Sequence, residues 1–426
     1  MLRFILPVLL LFILNFPLFA QNPGCDGSRY KQPVFTSVTK TTVPYATTLS
    51  HVGQNMTLSM DVYEPAGDTT SRRPVVVLAH GGSFIFGDKG DMKTWCELLA
   101  RRGYVVASIQ YRLFPVFIFG FPDSTQIMDT AVKAVGDMKA AVRYFRLDAA
   151  TVNQFRADPD FIFIGGYSAG AVAALHAGYL DADDSIPAFI QGLLNSNGGL
   201  NGSSGNAANQ SYSSKVGAVI NMSGGLYRRG WIRDGELPLL SVHGTADQTV
   251  PFQSGLAANL AYLEGSGLLH AQALEVGTWS FLKKVPGGGH TNIYDPGPYT
   301  AQIDNYWLRA TALLEFLTCR ADTLPGFVSG AAETLQEDAF EWAVYPNPVR
   351  QSDPAVFVQL PETLPSVGVV LFDGAGRDIR RVGQASRDQA QISVAGLPAG
   401  VYWIKITAGD DRGRVLGTKM LVLKPD

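Results

Sequence analysis

Residues 161–171 read FIFIGGYSAGA: four apolar residues run into two glycines, then a tyrosine, a serine and small residues with a further glycine. Within it, Gly166-Tyr167-Ser168-Ala169-Gly170 has the G-x-S-x-G spacing of a strand that turns sharply into a helix with the serine hydroxyl exposed at the turn. A turn this tight brings backbones too close for side chains at the flanking positions, which is the steric reason for glycine there. Ser168 is therefore a candidate nucleophile, and its surroundings must supply what a nucleophile needs.

From residue 74 onward, β-rich runs recur at intervals long enough to hold helices: PVVVLAH, YVVASIQY, FIFIGG, VGAVINM, PLLSVHG and WSFLKKV. That alternation predicts an α/β fold, a mostly parallel sheet with helices on both faces. The earlier TLSMDVYEP, with Leu58, Met60 and Val62 alternating, reads as an antiparallel edge strand. In AVKAVGDMKAAVRYF, Ala131, Val132, Val135, Met138, Ala141, Val142 and Phe145 share one side while Lys133, Asp137 and Lys139 face elsewhere, the pattern of a surface helix on a sheet. Residues 192–215, rich in Gly, Ser and Asn, read as a mobile insertion. The apolar run LFPVFIFGFP, residues 113–122, fits a pocket lining, a lid or core packing equally well.

The N-terminus, MLRFILPVLLLFILNFPLFAQ, joins Arg3 to an apolar run from Phe4 to Leu14 and ends in Leu18-Phe19-Ala20 before Gln21, the form of a secretory signal cleaved after Ala20. A retained membrane anchor is the competing reading, against which stand Pro7, Asn15 and Pro17; no other segment is expected to span a bilayer. At 426 residues with 46% hydrophobic and 17% charged residues, two folded units are expected. The net charge, 34 − 37 = −3, and the lack of any long basic run exclude a nucleic-acid surface. Past Cys319 the pattern changes: residues 320–342 carry no clear strand, and AVFVQL, GVVLFD, QISVAGL, VYWIKITA and LGTKMLVLK then read as a small all-β sandwich. The expected organisation is a signal peptide at 1–20, a catalytic domain at 21–319, a linker at 320–342 and a β-sandwich at 343–426. In an oxidising compartment Cys25 and Cys319 either bridge the two ends of the first domain or stay reduced, while Cys96 reads as a small buried hydrophobe.

Hydrolysis of an ester by serine requires a base, a carboxylate to orient that base and donors for the oxyanion. After PLLSV comes HGTADQTVP with Asp247; after WSFLKKV comes PGGGHTNIY with His290. The order Ser168, Asp247, His290, each just beyond a strand, is the order of an α/β-hydrolase triad. Upstream, PVVVLAHGGSFIFGD ends a strand in His80-Gly81-Gly82-Ser83, where the Gly81 and Gly82 amides join that of Ala169 as the expected oxyanion hole. His80 and His243 each end a strand, where a hydrogen-bonding role suffices; no metal-ligand spacing occurs, and His51, His176 and His270 receive no role.

Together, HGGSFIFGD, YRL at 111–113, GYSAGA, HGTAD and GGGH resemble a secreted carboxylesterase of the α/β-hydrolase superfamily, in the lineage of hormone-sensitive-lipase-like, acetyl-xylan and feruloyl esterases. The resemblance covers about residues 35–319. It implies an α/β-hydrolase fold, an acyl-enzyme mechanism on a small-molecule or polysaccharide-linked ester, and no cofactor. Two positions depart from the pattern: Ser83 stands where a third glycine is frequent, and Ala171 where glycine is frequent after the turn. Within the superfamily, an exopeptidase of the prolyl-oligopeptidase type is the alternative, though the chain has no room for its propeller; a non-catalytic surface-binding protein is the alternative outside it. YPNP at 345–348, LFDGAGR at 371–377, LPAGVYWIKI and GTKMLVLK resemble the sorting domain of the Bacteroidetes type IX secretion system, which implies passage through the periplasm, export to the surface or medium, and the secretion machinery as partner.

Overall fold

The computed structural model describes residues 24–205, 208–319, 343–345, 349–359, 367–373, 378–382, 389–408 and 415–424. The expected signal peptide at 1–20 and linker at 320–342 lie outside the described residues. The chain divides into two compact units, Met1–Ser329 and Gly330–Asp426.

The first unit is built on eight strands: β1 (Val38–Leu49), β2 (Asn55–Pro65), β3 (Arg73–Ala79), β4 (Val105–Ile109), β5 (Ala157–Tyr167), β6 (Val219–Met222), β7 (Leu239–Gly244) and β8 (Ser280–Val285). Their order across the sheet is β1-β2-β4-β3-β5-β6-β7-β8. The strands from β4 through β8 run parallel, whereas β1 and β2 are antiparallel to their neighbours. The runs are continuously apolar because helices cover both faces: all seven residues of β3 are buried. One face packs with α2 (Ser124–Ala150), α3 (Ala169–Tyr179) and α4 (Ala188–Ser196). The other packs with α1 (Lys93–Ala100) and α5 (Thr300–Cys319).

Four readings of the sequence are modified here. First, β2 is antiparallel but not the edge, because β1 pairs along its whole length; the Thr-rich, mostly exposed β1 carries too weak an apolar alternation to announce itself. Second, α2 is no surface helix: Asp137, Lys139 and Arg143 are buried with its apolar side. Third, what covers it is the Gly/Ser/Asn segment expected to be mobile. Lys139 Nζ donates to Leu200 O (2.8 Å), and Arg143 donates to Asn201 O (3.0 Å) and Ser204 O (2.7 Å). Gly136 and Gly202 touch so closely that a Cβ on Gly136 would lie 2.9 Å from Gly202 Cα. Long cationic side chains satisfied by loop carbonyls make a polar segment into a docked one. Fourth, in the 113–122 run Phe114 and Pro122 are buried, whereas Phe117, Ile118, Phe119 and Phe121 are exposed.

The cysteines resolve to a Cys25–Cys319 disulfide and a buried free Cys96. A bridge spanning 294 positions restricts the unfolded chain and stabilises the fold by about 2–4 kcal/mol. In the second unit, sheets of three and five strands share one core drawn from both, including Val356, Val358, Val369, Leu371, Ile392 and Ile404, as expected of a sandwich. The short strand Asp378–Val382, with Arg380 and Arg381 exposed, is an edge strand that the sequence pattern did not reveal.

Arg112, from the YRL stretch, donates through Nη2 (2.8 Å) and Nε to the wholly buried Asp137, which also accepts the Arg112 amide (2.8 Å) and the Ser204 hydroxyl. Removing one partner leaves the other charge buried and uncompensated. Asp137→Ala is expected to destabilise by about 3–5 kcal/mol, lowering the thermal midpoint by roughly 10 °C; an unchanged midpoint would contradict this packing.

Candidate active site

Ser168 sits between the last residue of β5 and the first of α3 with φ +54° and ψ −122°, a conformation in which a non-glycine residue is held under strain of about 1–3 kcal/mol. The backbone is pinned on both sides: Ser168 N donates to Met222 O (2.9 Å) and Val172 N to Ser168 O (2.9 Å). A Cβ on Gly166 would stand 2.5 Å from Gly170 C and 2.6 Å from Ala79 O, so the crossing of turn, helix and β3 requires glycine there. Ala171, the departure after the turn, presses its methyl toward Gly224, where a Cβ would lie 2.5 Å away. A glycine at 224 makes room for that methyl.

Asp247 and His290 come from neighbouring loops beyond β7 and β8, and these loops are locked together. Ala246 N donates to Gly288 O (2.8 Å) and Gly287 N to Thr245 Oγ1 (2.9 Å), while Gly289 N donates to Asn292 Oδ1 (2.8 Å) within the second loop. His290 Nδ1 lies 2.6 Å from Asp247 Oδ2, and its Nε2 lies 2.8 Å from Ser168 Oγ. With the carboxylate as acceptor, Nδ1 carries the proton and Nε2 presents a lone pair to the hydroxyl. The imidazole is also stacked on Tyr167 (ring centroids 5.3 Å apart), whose hydroxyl donates to His290 O (3.2 Å). This packing partner was not apparent from a glycine-rich loop. Asp247 resists the upward push of burial: hydrogen bonds from His243 and His290 hold its carboxyl well below the usual carboxylate range.

The loop after β3 is oriented by its carbonyls. Tyr111 Oη donates to His80 O (2.8 Å), His80 Nδ1 to Gly81 O (2.7 Å), and the Ile85 and Phe86 amides to Gly82 O (both 2.9 Å). In a trans peptide the following N–H points opposite to the carbonyl, so the Gly81, Gly82 and Ser83 amides face away from these anchors. Ser168 lies near, since a Cβ on Gly81 would be 3.1 Å from Ser168 Cβ. Gly82 adopts φ +114°. Ser83 and Phe84 adopt φ +54° and +61°, so the serine in place of a third glycine keeps the left-handed conformation under strain rather than losing it. Ala169 opens α3, where backbone amides lack intrahelical acceptors. Tyr111 and His80, stacked at 4.3 Å, thus support the loop without being recognisable in sequence as its struts.

Beside Ser168 a cleft, about 1020 Å³ counting its solvent-open mouth, is walled almost entirely by apolar groups, among them Phe84, Met128, Val132, Val172, Leu194 and Trp231. His176 also borders it. Its Nδ1 donates to Val172 O (2.8 Å) and its Nε2 accepts from Tyr227 N (3.2 Å), an arrangement open only to the neutral ring. Among the described residues, no group of three or more His, Cys, Asp or Glu side chains is placed to hold a metal ion, and no helix is long and apolar enough to cross a membrane.

Both units are similar to known proteins. Residues 60–226 match the family described as BD-FAE, and residues 343–419 match the secretion system C-terminal sorting domain. Juvenile hormone esterase of Heliothis virescens is 33% identical over 106 residues, 25% of this chain and 18% of that protein. Esterase-5C of Drosophila pseudoobscura pseudoobscura is 29% identical over 133 residues, 31% and 23% respectively. The chain thus spans about a fifth of the length of these curated relatives. Thermogutta terrifontis esterase 2, in a structure phosphorylated by paraoxon, aligns with 66% of this chain and 95% of its own at 22% identity and a TM-score of 0.47. The first unit has the α/β-hydrolase fold, and the proteins it is similar to are esterases. The second unit carries the match to a secretion system C-terminal sorting domain, which implies secretion or a place at the cell surface.

Burial pulls the His176 ring down from the ordinary value of 6.5 to about 4. Between those values the unfolded chain binds a proton that the folded chain does not, so the contribution is complete above pH 6.5 and is lost as pH falls toward 4. The loss amounts to about 3 kcal/mol at most, less any solvent screening from the cleft. The thermal midpoint of His176→Gln should therefore fall less than that of the parent between pH 7 and pH 4.5; parallel curves would contradict a buried neutral imidazole.

Proposed function

We propose that the protein is an exported serine carboxylesterase. Ser168 Oγ attacks the ester carbonyl as His290 Nε2 takes its proton; the resulting oxyanion is received by the amides of Gly81, Gly82 and Ala169, each worth about 2.7–4 kcal/mol in the transition state. His290 then gives the proton to the departing alkoxide, leaving an acyl-enzyme and a free alcohol. Water, deprotonated by the same imidazole, attacks the acyl carbon; the carboxylic acid leaves and the proton returns to Ser168. Asp247 holds the Nδ1–H tautomer and stabilises the imidazolium. The observation that carries this reading is the unbroken line of short contacts from Asp247 through His290 to Ser168, 2.6 Å and 2.8 Å.

For substrate, the apolar cleft favours an apolar or aromatic acyl group, such as feruloyl, over acetyl. A polysaccharide-linked ester fits an exported enzyme of this kind. The proposed organisation is a signal peptide at 1–20 that delivers the chain to the periplasm, a catalytic domain at 21–319, a linker at 320–342 and a sorting domain at 343–426 that engages the type IX machinery.

Ser168→Ala should lower turnover of p-nitrophenyl butyrate by at least about a thousandfold while leaving the thermal midpoint within a few degrees; a variant of near-parental turnover would refute the assignment. Across p-nitrophenyl esters from acetate to hexanoate, kcat/KM should rise roughly three- to fourfold per methylene, the equivalent of about 0.8 kcal/mol of burial. A maximum at acetate would contradict the reading of the cleft.

A further inference from the structure

His243 is wholly buried at the end of β7, four residues before Asp247. Its Nε2 lies 3.1 Å from Asp247 Oδ2 and 2.9 Å from Val250 O. Both neighbours are acceptors, so this nitrogen carries the proton and its N–H is shared between them. Its Nδ1 lies 2.7 Å from Ser266 Oγ. Ser266 Oγ already accepts a bond from Asn221 Nδ2 (3.0 Å), and the Asn221 orientation is fixed by Gly224 N donating to its Oδ1 (2.8 Å). The serine proton is therefore free to go to His243 Nδ1, which selects the neutral tautomer with hydrogen on Nε2.

The consequence falls on Asp247. Its Oδ1 accepts the Thr249 and Val250 amides (2.8 and 2.9 Å), and its Oδ2 accepts His243 and His290. Two carboxylate oxygens offer about four acceptor directions, and three of them are filled from β7 and the loop that follows it. The carboxylate cannot rotate without breaking one, so its last direction stays aimed at His290. We infer that His243 is a positioning residue for the catalytic acid, the inner end of a buried hydrogen-bond chain Asn221–Ser266–His243–Asp247–His290–Ser168. This rests on the esterase reading above: without a triad at Ser168, Asp247 and His290, there is no acid to position.

The test uses the full chain and p-nitrophenyl butyrate. His243→Leu removes the donor; His243→Gln keeps one, since the amide nitrogen of glutamine can occupy the place of Nε2. Leucine should lower kcat about 10- to 100-fold, the range typical of groups one hydrogen bond away from the reacting set, with KM changed less than about twofold. Glutamine should recover at least about tenfold of a hundredfold loss. Ser266→Ala should lower kcat severalfold in the parent and not at all in the His243→Leu background, because its effect passes through the histidine. Leucine and glutamine variants with equal kcat, or a Ser266→Ala effect that is the same in both backgrounds, would overturn the inference and leave His243 as core packing. Should the leucine variant fail to fold, the glutamine variant decides in its place: a Ser266→Ala effect of equal size in parent and His243→Gln supports the relay only if glutamine retains kcat within about tenfold of parent, and a larger loss at normal thermal midpoint overturns it. Ser168→Ala run alongside separates the two levels: if it retains activity the esterase reading fails, and if it is inactive while His243→Leu is unimpaired only the positioning role fails.

Discussion

The structure depends on one close approach of backbone to backbone, where the turn after β5 crosses the end of β3. Gly166, Gly170 and Ala79 meet there at separations that admit no side chain between them. Because the helix can start only at that crossing, Ser168 is forced into a left-handed conformation just past the C-terminal end of β5. The loop after β3 begins at the same crossing, which is why Gly81 and Ser168 are neighbours. Strain at the serine is held by the packing of β5 and α3 into the core cluster.

A second contact of the same kind joins the loops of the proposed acid and base. The HGTAD and GGGH loops touch through Gly244 and Gly288, with Ala246 N bonded to Gly288 O, so Asp247 and His290 form a rigid pair independent of the serine. The proposed catalytic geometry then reduces to placing that pair against the turn, and the stacking of His290 on Tyr167, the residue before the serine, does so. Two glycine-permitted contacts and one aromatic stack account for an alignment that spans over a hundred positions of sequence.

Much of this was legible in the sequence because its carriers are local. Continuous β-branched runs mark strands buried on both faces, and glycines beside Ser168 and before His290 mark turns with definite steric needs. What escaped was non-local. A polar segment such as 197–205 looks solvated until the buried Lys139 and Arg143 that bond its carbonyls are seen beneath it. Asp137 reads as an exposed helix charge until Arg112, twenty-five positions away, is found opposite. His243 reads as a strand-end histidine, and nothing in the chain near it announces Ser266 and Asn221. The strand Asp378–Val382 was hidden by its charges, which an edge tolerates.

The central claim is that Ser168 is made nucleophilic by His290 and Asp247. Reaction with an alkyl fluorophosphonate, followed by peptide mass spectrometry, tests it most directly, because the reagent reports the activated hydroxyl rather than turnover of any chosen ester. The account predicts a single stoichiometric adduct on Ser168, forming at least about a hundredfold more slowly in His290→Ala. No adduct on Ser168, or labelling at an equal rate without the imidazole, would contradict it.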